Sequence, residues 1–368
     1  MKSLYIHIPY CKQKCYYCDF NSYSGKEELF EKYVEAIEKE IKCNSMCSFK
    51  TVYFGGGTPS VIPSKYILQI MQDIKCDGEV TLELNPGTIT REKLQDYKKA
   101  GINRLSIGLQ TTNDSLLKNI GRIHTLEDFD EAFKMAREEG FNNISVDLMI
   151  GLSNQTLEDV KNALNHVIKL NPEHISVYSL IVHDELVEAH KQAFSNLPSD
   201  EEERAMYYLV CEELAKAGFE QYEISNFAKP GYASKHNLCY WNQDEYYGVG
   251  AGASSYINGV RYKNIDSIEE YISKIQNNDK SVAIIEEKQT KESKIREYMI
   301  LKLRLIRGVS ANEAKERFGI DILELFDKEI TKLINLELLE KAAIEGDICL
   351  FLTQKGLDLA NIVWEEFV

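Results

Sequence analysis

Six short runs of alternating or β-branched residues organise the first half of the chain: 4–8, 51–54, 80–84, 104–109, 144–150 and 174–180. Each pattern is too short for a helix and is bounded by turn-forming residues, so each predicts a strand. Amphipathic stretches separate them. One carries Phe30, Tyr33, Val34, Ile37 and Ile41 on a single helical face. Two others open with cap signals, Thr125-Leu126-Glu127-Asp128 and Thr156-Leu157-Glu158-Asp159. Six β-α units in series imply an α/β fold on a parallel sheet, either doubly wound or curled into part of a barrel. Gly55-Gly56-Gly57-Thr58, Glu83-Leu84-Asn85-Pro86, Gln110 and Asp147 fall at or near the C-terminal ends of these strands. In a β/α barrel those ends share one rim, where active sites lie. One such strand end could be chance, but several polar residues at matching depth on separate strands are hard to dismiss.

The pattern changes after the sixth strand. A helix over about 199–217 starts with the capping box Ser199 to Glu202, and an aromatic-rich stretch over 222–262 reads as irregular. From about residue 288 come three helices, at 294–306, 311–318 and 323–335. A hairpin of 338–342 and 348–352 follows, turning at Glu345-Gly346-Asp347, and then a short helix. That order resembles a winged helix. Residues 286–368 hold 13 Lys and Arg against 17 Asp and Glu, which argues against DNA and for a lid or interaction domain. The expected division is a barrel over 1–220, an aromatic-rich extension over 221–285 and a C-terminal winged-helix-like domain over 286–368.

Charge and cysteine content narrow the function classes. A net charge of −15 disfavours nucleic acid and anionic lipid as partners, leaving at most peripheral membrane contact. No apolar run approaches the ~18 residues of a membrane span. A strand beginning at residue 4 leaves no room for a signal peptide, so the expected compartment is the cytoplasm. Nine cysteines there do not imply a disulfide framework. Cys43, Cys47, Cys76, Cys211, Cys239 and Cys349 read as buried or incidental thiols, although Cys43 and Cys47 share a helical spacing.

Cys11, Cys15 and Cys18 differ from these. Their C-x3-C-x2-C spacing directly after the first strand supplies three thiolates to a centre that usually needs four ligands. Such a triad suits a metal centre with one open site; zinc, or three unligated thiols, is the competing account. Gly55-Gly56-Gly57-Thr58-Pro59 after the second strand permits close backbone approach and presents amides, and a plain tight turn would use the same residues. His7 alternates with Tyr5 and Pro9 on one strand face, which fits a catalytic role or a supporting one. His124, His166, His174, His183 and His190 show no ligand spacing.

The cysteine spacing resembles the cluster motif of the radical S-adenosylmethionine (SAM) family. With Tyr5-Ile6-His7-Ile8-Pro9 ahead of it and GGGTP behind, the chain is similar over nearly its whole length to the coproporphyrinogen III dehydrogenase-like branch, the HemN/HemW group. The resemblance implies an α/β fold with a TIM-like partial (β/α)6 barrel and a [4Fe–4S] cluster on Cys11, Cys15 and Cys18, with SAM on the open iron; Tyr16 and Tyr17, inside the triad, would shield the cluster from water. It implies Tyr5 beside the cluster, SAM contacts from Gly56, Gly57, Thr58 and Glu83, and a second-SAM set of Gln110, Arg122 and Asp147. On residue type alone, Arg122 is either a carboxylate clamp or a surface residue. The glycine-rich stretch 246–256 lacks a P-loop lysine; within the family it resembles a segment near the SAM and tetrapyrrole pocket, and generic turn structure also accounts for it.

Two departures point away from the dehydrogenase. Asp19-Phe20 follows Cys18 where the dehydrogenase continues Gly-Cys, and His236-Asn237-Leu238-Cys239-Tyr240-Trp241 resembles the H-N-x-x-Y-W signature of the haem-chaperone branch. The resemblance then implies a haem chaperone that carries haem to an acceptor protein, with His236 as a haem contact and Cys239 as a second conceivable ligand. As an isolated residue, His236 would be a hydrogen-bonded structural histidine. If SAM is cleaved, an electron donor such as flavodoxin or ferredoxin is required. The resemblance leaves room for a homodimer. The rival reading is oxygen-independent decarboxylation of coproporphyrinogen III propionates, and a third is a zinc-stabilised barrel without SAM.

Overall fold

The computed structural model describes residues 2–43 and 48–368. Six parallel strands run in sequence order: β1 (Ser3–Ile8), β2 (Ser48–Gly56), β3 (Lys75–Leu84), β4 (Arg104–Gln110), β5 (Ile144–Ile150) and β6 (His174–Ser179). A doubly wound sheet reverses its strand order part-way, and no reversal occurs between β1 and β6. Right-handed crossovers that never reverse put every helix on one face, so the sheet curls around the other. The protein is therefore an α/β partial barrel.

Strand alternation decides what the barrel encloses. In β4, Leu105, Ile107 and Leu109 join the hydrophobic core, and in β5 Ile144, Val146, Leu148 and Ile150 do the same. The intervening residues turn inward: Arg104, Ser106, Gly108 and Gln110 on β4, Asp147 and Met149 on β5, and Ser176 and Tyr178 on β6 line one cavity. The core lies between sheet and helices, and the barrel interior is polar. The three capping boxes form as their sequences predict, at Thr125/Asp128, Thr156/Asp159 and Ser199/Glu202.

The stretch over 222–262 is not irregular. It holds β7 (Glu220–Glu223), β8 (Asn226–Ala228), the helix Lys235–Trp241, β9 (Tyr246–Val249), β10 (Ser254–Ile257) and β11 (Val260–Asn264). With β12 (Ala283–Lys288) these extend the sheet at both edges, giving the order β12-β11-β10-β9-β1-β2-β3-β4-β5-β6-β8-β7. Runs of three to five residues are too short to show a period, and their partners are distant, as in the parallel pairing of Leu4 with Tyr247.

A second core forms around Tyr298, Met299, Leu303, Phe326, Leu333 and Val363. The helices Lys291–Leu303 and Ala311–Phe318 stand close to their predicted bounds, while the third breaks at Phe326 into Ile322–Leu325 and Asp327–Asn335. A small sheet completes it, with β15 (Asp347–Leu352) between β13 (Val309–Ser310) and β14 (Leu339–Ile344). Buried polar bonds join this unit to the segment after the barrel. The fully buried Lys302 ammonium reaches Asn242 at 2.8 Å and Glu313 at 2.7 Å, and Arg304 pairs with buried Glu223 at 2.9 Å. Among the described residues, no helix is long and apolar enough to cross a membrane. Cys43 is exposed at the end of its helix, and Cys47 lies outside the described residues.

Candidate functional site

The ends of the strands surround a cavity of about 370 Å³. Cys11, Cys15, Cys18, Gly56, Gly57, Thr58, Glu83, Gln110, Arg122 and Asp147 all line it. The cysteine loop is stitched to its neighbours through the backbone. Cys11 N–H donates to Tyr23 C=O at 2.8 Å, Gly57 N–H to Ile8 C=O at 2.9 Å, and Thr58 N–H to Tyr10 C=O at 2.7 Å. Space explains the glycines. A Cβ on Gly57 would lie 2.7 Å from Tyr10 O and 3.0 Å from Cys11 Sγ, while Gly56 adopts φ +112° against the His7 ring. The glycine turn thus packs directly on the cysteine loop.

Burial pushes the Cys11 and Cys18 thiols up from their ordinary range. Opposing groups stand ready: Thr58 Oγ1 lies 3.6 Å from Cys11 Sγ, and Arg122 Nη1 lies 3.7 Å from Cys15 Sγ. Arg122 is not a surface residue, because its other terminal nitrogen donates to Gly108 C=O at 2.5 Å inside the cavity. A side chain on Gly108 would collide with that guanidinium at 2.6 Å. Among the described residues, no three His, Cys, Asp or Glu side chains converge tightly enough to hold one metal ion. A cubane cluster requires a different arrangement, since each thiolate takes its own iron. Three thiols on one wall, with a cation beside the middle one, fit that demand.

Glu83 and Asp147 are acids in a poorly solvated chamber. Burial, reinforced by the Asp147 charge, pushes Glu83 up to about 7 against the bond it accepts from Tyr53 O–H at 2.7 Å. Burial also raises Asp147, which accepts from Ser106 Oγ at 3.0 Å and Ser145 Oγ at 3.2 Å. Gln110 adopts φ 72° where the β4–β5 register shifts, a left-handed conformation rare for its type and frequent at binding sites. Tyr5 lies behind the glycine turn and does not line the cavity. Its O–H lies 3.0 Å from His7 Nδ1, and His7 Nε2 reaches Asn21 C=O at 2.8 Å. His7 therefore ties β1 to the cysteine loop with both ring nitrogens occupied.

His236 is fully buried. Its Nδ1 lies 2.8 Å from Thr51 Oγ1 and its Nε2 lies 2.9 Å from Tyr240 O–H, with the ring packed between Tyr53 and Tyr240. Haem ligation would require Nε2 to give up Tyr240 and the ring to leave the core. The rest of the motif has separate roles. Asn237 lines the cavity, Cys239 is buried, and Trp241 stacks 4.5 Å under the Arg304 guanidinium of the C-terminal unit. Asn237 and Arg104 were not singled out from sequence, although Asn237 sits inside the motif that was.

The accessible histidine is a different one. Among the described residues, His183 is the one histidine lining the cavity, with its side chain 44% exposed and Nε2 3.3 Å from Asp19 Oδ2. Phe20 and Ile181, exposed at 64% and 69%, flank it on the lip.

Residues 5–167 match the Radical SAM superfamily model, a match that implies a [4Fe–4S] cluster and SAM, and residues 289–359 match the HemN C-terminal domain. The chain is 40% identical to the heme chaperone HemW of Bacillus subtilis over all of its length and 99% of the relative. It is 36% identical to HemW of Lactococcus lactis, covering 100% of this chain and 97% of that one. The chain belongs to the HemW family. Its fold matches the solved structure of Escherichia coli HemN, a coproporphyrinogen III oxidase, with a TM-score of 0.86. That likeness covers 99% of this chain and 89% of the other at 22% identity. The HemW family thus shares its fold with an enzyme, and the fold does not choose between carrying haem and oxidising a porphyrinogen.

Proposed function

We propose that this HemW-family chain is a haem chaperone that binds haem at the lip of its barrel cavity and passes it to an acceptor protein. The observation that carries the reading is the lip itself. Phe20, Ile181 and Tyr178 present apolar surface beside an exposed histidine, which suits a flat macrocycle with a ligand-accepting metal. A carboxylate on one imidazole nitrogen orients the ring and leaves the other nitrogen to a metal. Asp19 takes that position on His183. Asp19 and Phe20 are also one of the two places at which the sequence departs from the dehydrogenase pattern.

Inside the cavity, Cys11, Cys15 and Cys18 would hold the [4Fe–4S] cluster, which would supply a binding position for SAM. Gly56 and Gly57 leave room for close approach to the chain, and Thr58 adds a hydroxyl. Glu83, Gln110, Arg122 and Asp147 complete the polar wall, with Arg122 also offsetting thiolate charge. The barrel over 1–220 and the winged-helix-like unit over 286–368 then act as separate parts joined through the H-N-x-x-Y-W segment.

Glu83 gives this reading a pH signature. A sulfonium cation is favoured by the ionised carboxylate, so SAM affinity rises as pH climbs through about 7 and levels off above it. The ligand-free fold responds in the opposite sense. Its carboxyl is held neutral relative to an unfolded value of 4.5, so stability falls as pH rises from 4.5 through about 7. That loss is at most about 3 kcal/mol, because Glu83 is partly accessible. Glu83→Gln flattens both curves, as read by equilibrium dialysis and by melting temperature.

The deciding experiment is anaerobic reconstitution followed by parallel assays of haem binding and coproporphyrinogen III turnover. Stoichiometric haem binding without decarboxylation supports the chaperone, and robust decarboxylation overturns it. His183→Ala is expected to shift the Soret band and weaken haem binding by about tenfold. An unchanged spectrum would remove His183 from the site.

A further inference from the structure

The floor of the cavity holds a cation that makes no ion pair among the described residues. Arg104 opens β4, is 2% exposed and lines the cavity from below. Its Nε is fully buried and unbonded, and among the described residues no carboxylate stands within ion-pairing distance of its guanidinium. Asp147, Glu79, Tyr53 and Tyr222 face it from neighbouring elements, as do His174 and His236. None of these accepts a hydrogen bond from it. Glu79 Oε1 is taken by Ser234 Oγ and His236 N–H, and Asp147 by Ser106 and Ser145. His174 is bonded on both sides, to Ser145 Oγ and Tyr222 O–H at 2.8 Å each.

A buried guanidinium that makes no ion pair and leaves Nε unbonded is costly to leave unsatisfied. We infer that Arg104 is the base of a carboxylate-binding subsite at the cavity floor. The planar fork pairs with a carboxylate through two parallel bonds, and Asn237 and Ser176 line the same cavity as further polar groups. A monoanion fits better than a phosphate ester, because the acids Asp147 and Glu83 share the chamber and would repel a second negative charge. Two sources carry such a group: a propionate arm of a tetrapyrrole, or the carboxylate of an amino-acid-type cofactor. The tetrapyrrole source rests on the haem-carrying function proposed above; the carboxylate subsite does not.

The test uses the full chain and the variants Arg104→Met and Arg104→Lys. Three titrations are compared: haem against its dimethyl ester, SAM on reconstituted protein, and sodium propionate followed by melting temperature with sodium chloride as control. If a propionate arm occupies the site, wild type binds haem about tenfold or more tightly than the diester, and Arg104→Met abolishes the difference. If the source is the amino-acid carboxylate, Arg104→Met weakens SAM by a similar factor while haem and diester bind alike in both proteins. In either case propionate stabilises wild type and not Arg104→Met. Equal haem, diester, SAM and propionate responses in wild type and Arg104→Met overturn the inference. So does a melting temperature that collapses in Arg104→Met and recovers in Arg104→Lys, since Arg104 would then be a counter-charge for Asp147 and Glu79. Absence of haem binding in wild type would remove the chaperone reading, and the SAM and propionate arms would still decide Arg104.

Discussion

Replacing any one of Cys11, Cys15 or Cys18 by alanine is expected to abolish the visible absorption of the reconstituted cluster and SAM binding with it. The three thiols enter the cavity from one loop whose backbone is held by Tyr23, Gly57 and Thr58, so no neighbouring cysteine can replace a missing ligand without unpicking those bonds. Loss of an outer-shell partner alone costs a metal site about 10–100-fold in affinity, and loss of a ligand costs more. The same substitution should leave the melting temperature of the cluster-free protein almost unchanged. None of the three thiols belongs to either main core, and burial already disfavours the thiolate form of Cys11 and Cys18. Cys211→Ala and Cys349→Ala serve as controls, because both thiols lie away from the cavity lining and should keep full iron and sulfide content. A single-cysteine variant that retains the cluster would refute the assignment. One zinc per chain with no iron would support the zinc-stabilised barrel instead.

The six parallel strands were legible because each has an apolar half that packs against helices: Leu105, Ile107 and Leu109 on β4, or Ile144, Val146 and Leu148 on β5. The polar half of the same alternation reports the barrel interior, and Glu83, Gln110 and Asp147 could be picked from it because strand ends share a rim. Arg104 escaped notice for the same geometric reason. At the start of a strand it resembles an ordinary solvated arginine, and only the curl of the sheet places its long side chain under the cavity. His183 and Asp19 lie on separate loops far apart in sequence, and no local period links them. The H-N-x-x-Y-W motif was visible as a motif, but its division of labour was not. Whether a histidine faces a cavity or a strand depends on which partner the helix Lys235–Trp241 packs against, and that partner is Thr51 on β2.

His236→Ala is expected to destabilise the protein by about 3 kcal/mol or more, the usual result of deleting a buried ring. The deletion opens a void between Tyr53 and Tyr240, strands the Thr51 and Tyr240 hydroxyls and loosens the helix that carries Asn237 to the cavity and Trp241 to Arg304. Its acid sensitivity should change as well. Burial, with the Arg104 charge adding to it, holds the imidazole down at about 3 against an ordinary 6.5. The unfolded chain therefore takes up a proton that the folded one refuses, and stability drops as pH falls from 6.5 towards 3. A variant without the imidazole lacks that component of the acid-induced loss. Haem affinity of the folded fraction should stay within about twofold of wild type, because both ring nitrogens already have partners and neither is offered to iron. Since alanine at this position threatens folding, His236→Gln provides the cleaner comparison: it fills most of the volume and keeps a polar atom for one of the two hydroxyls. If His236→Gln melts like wild type yet loses the Soret band of bound haem, the imidazole is the ligand after all and the core bonds seen for it belong to the haem-free state.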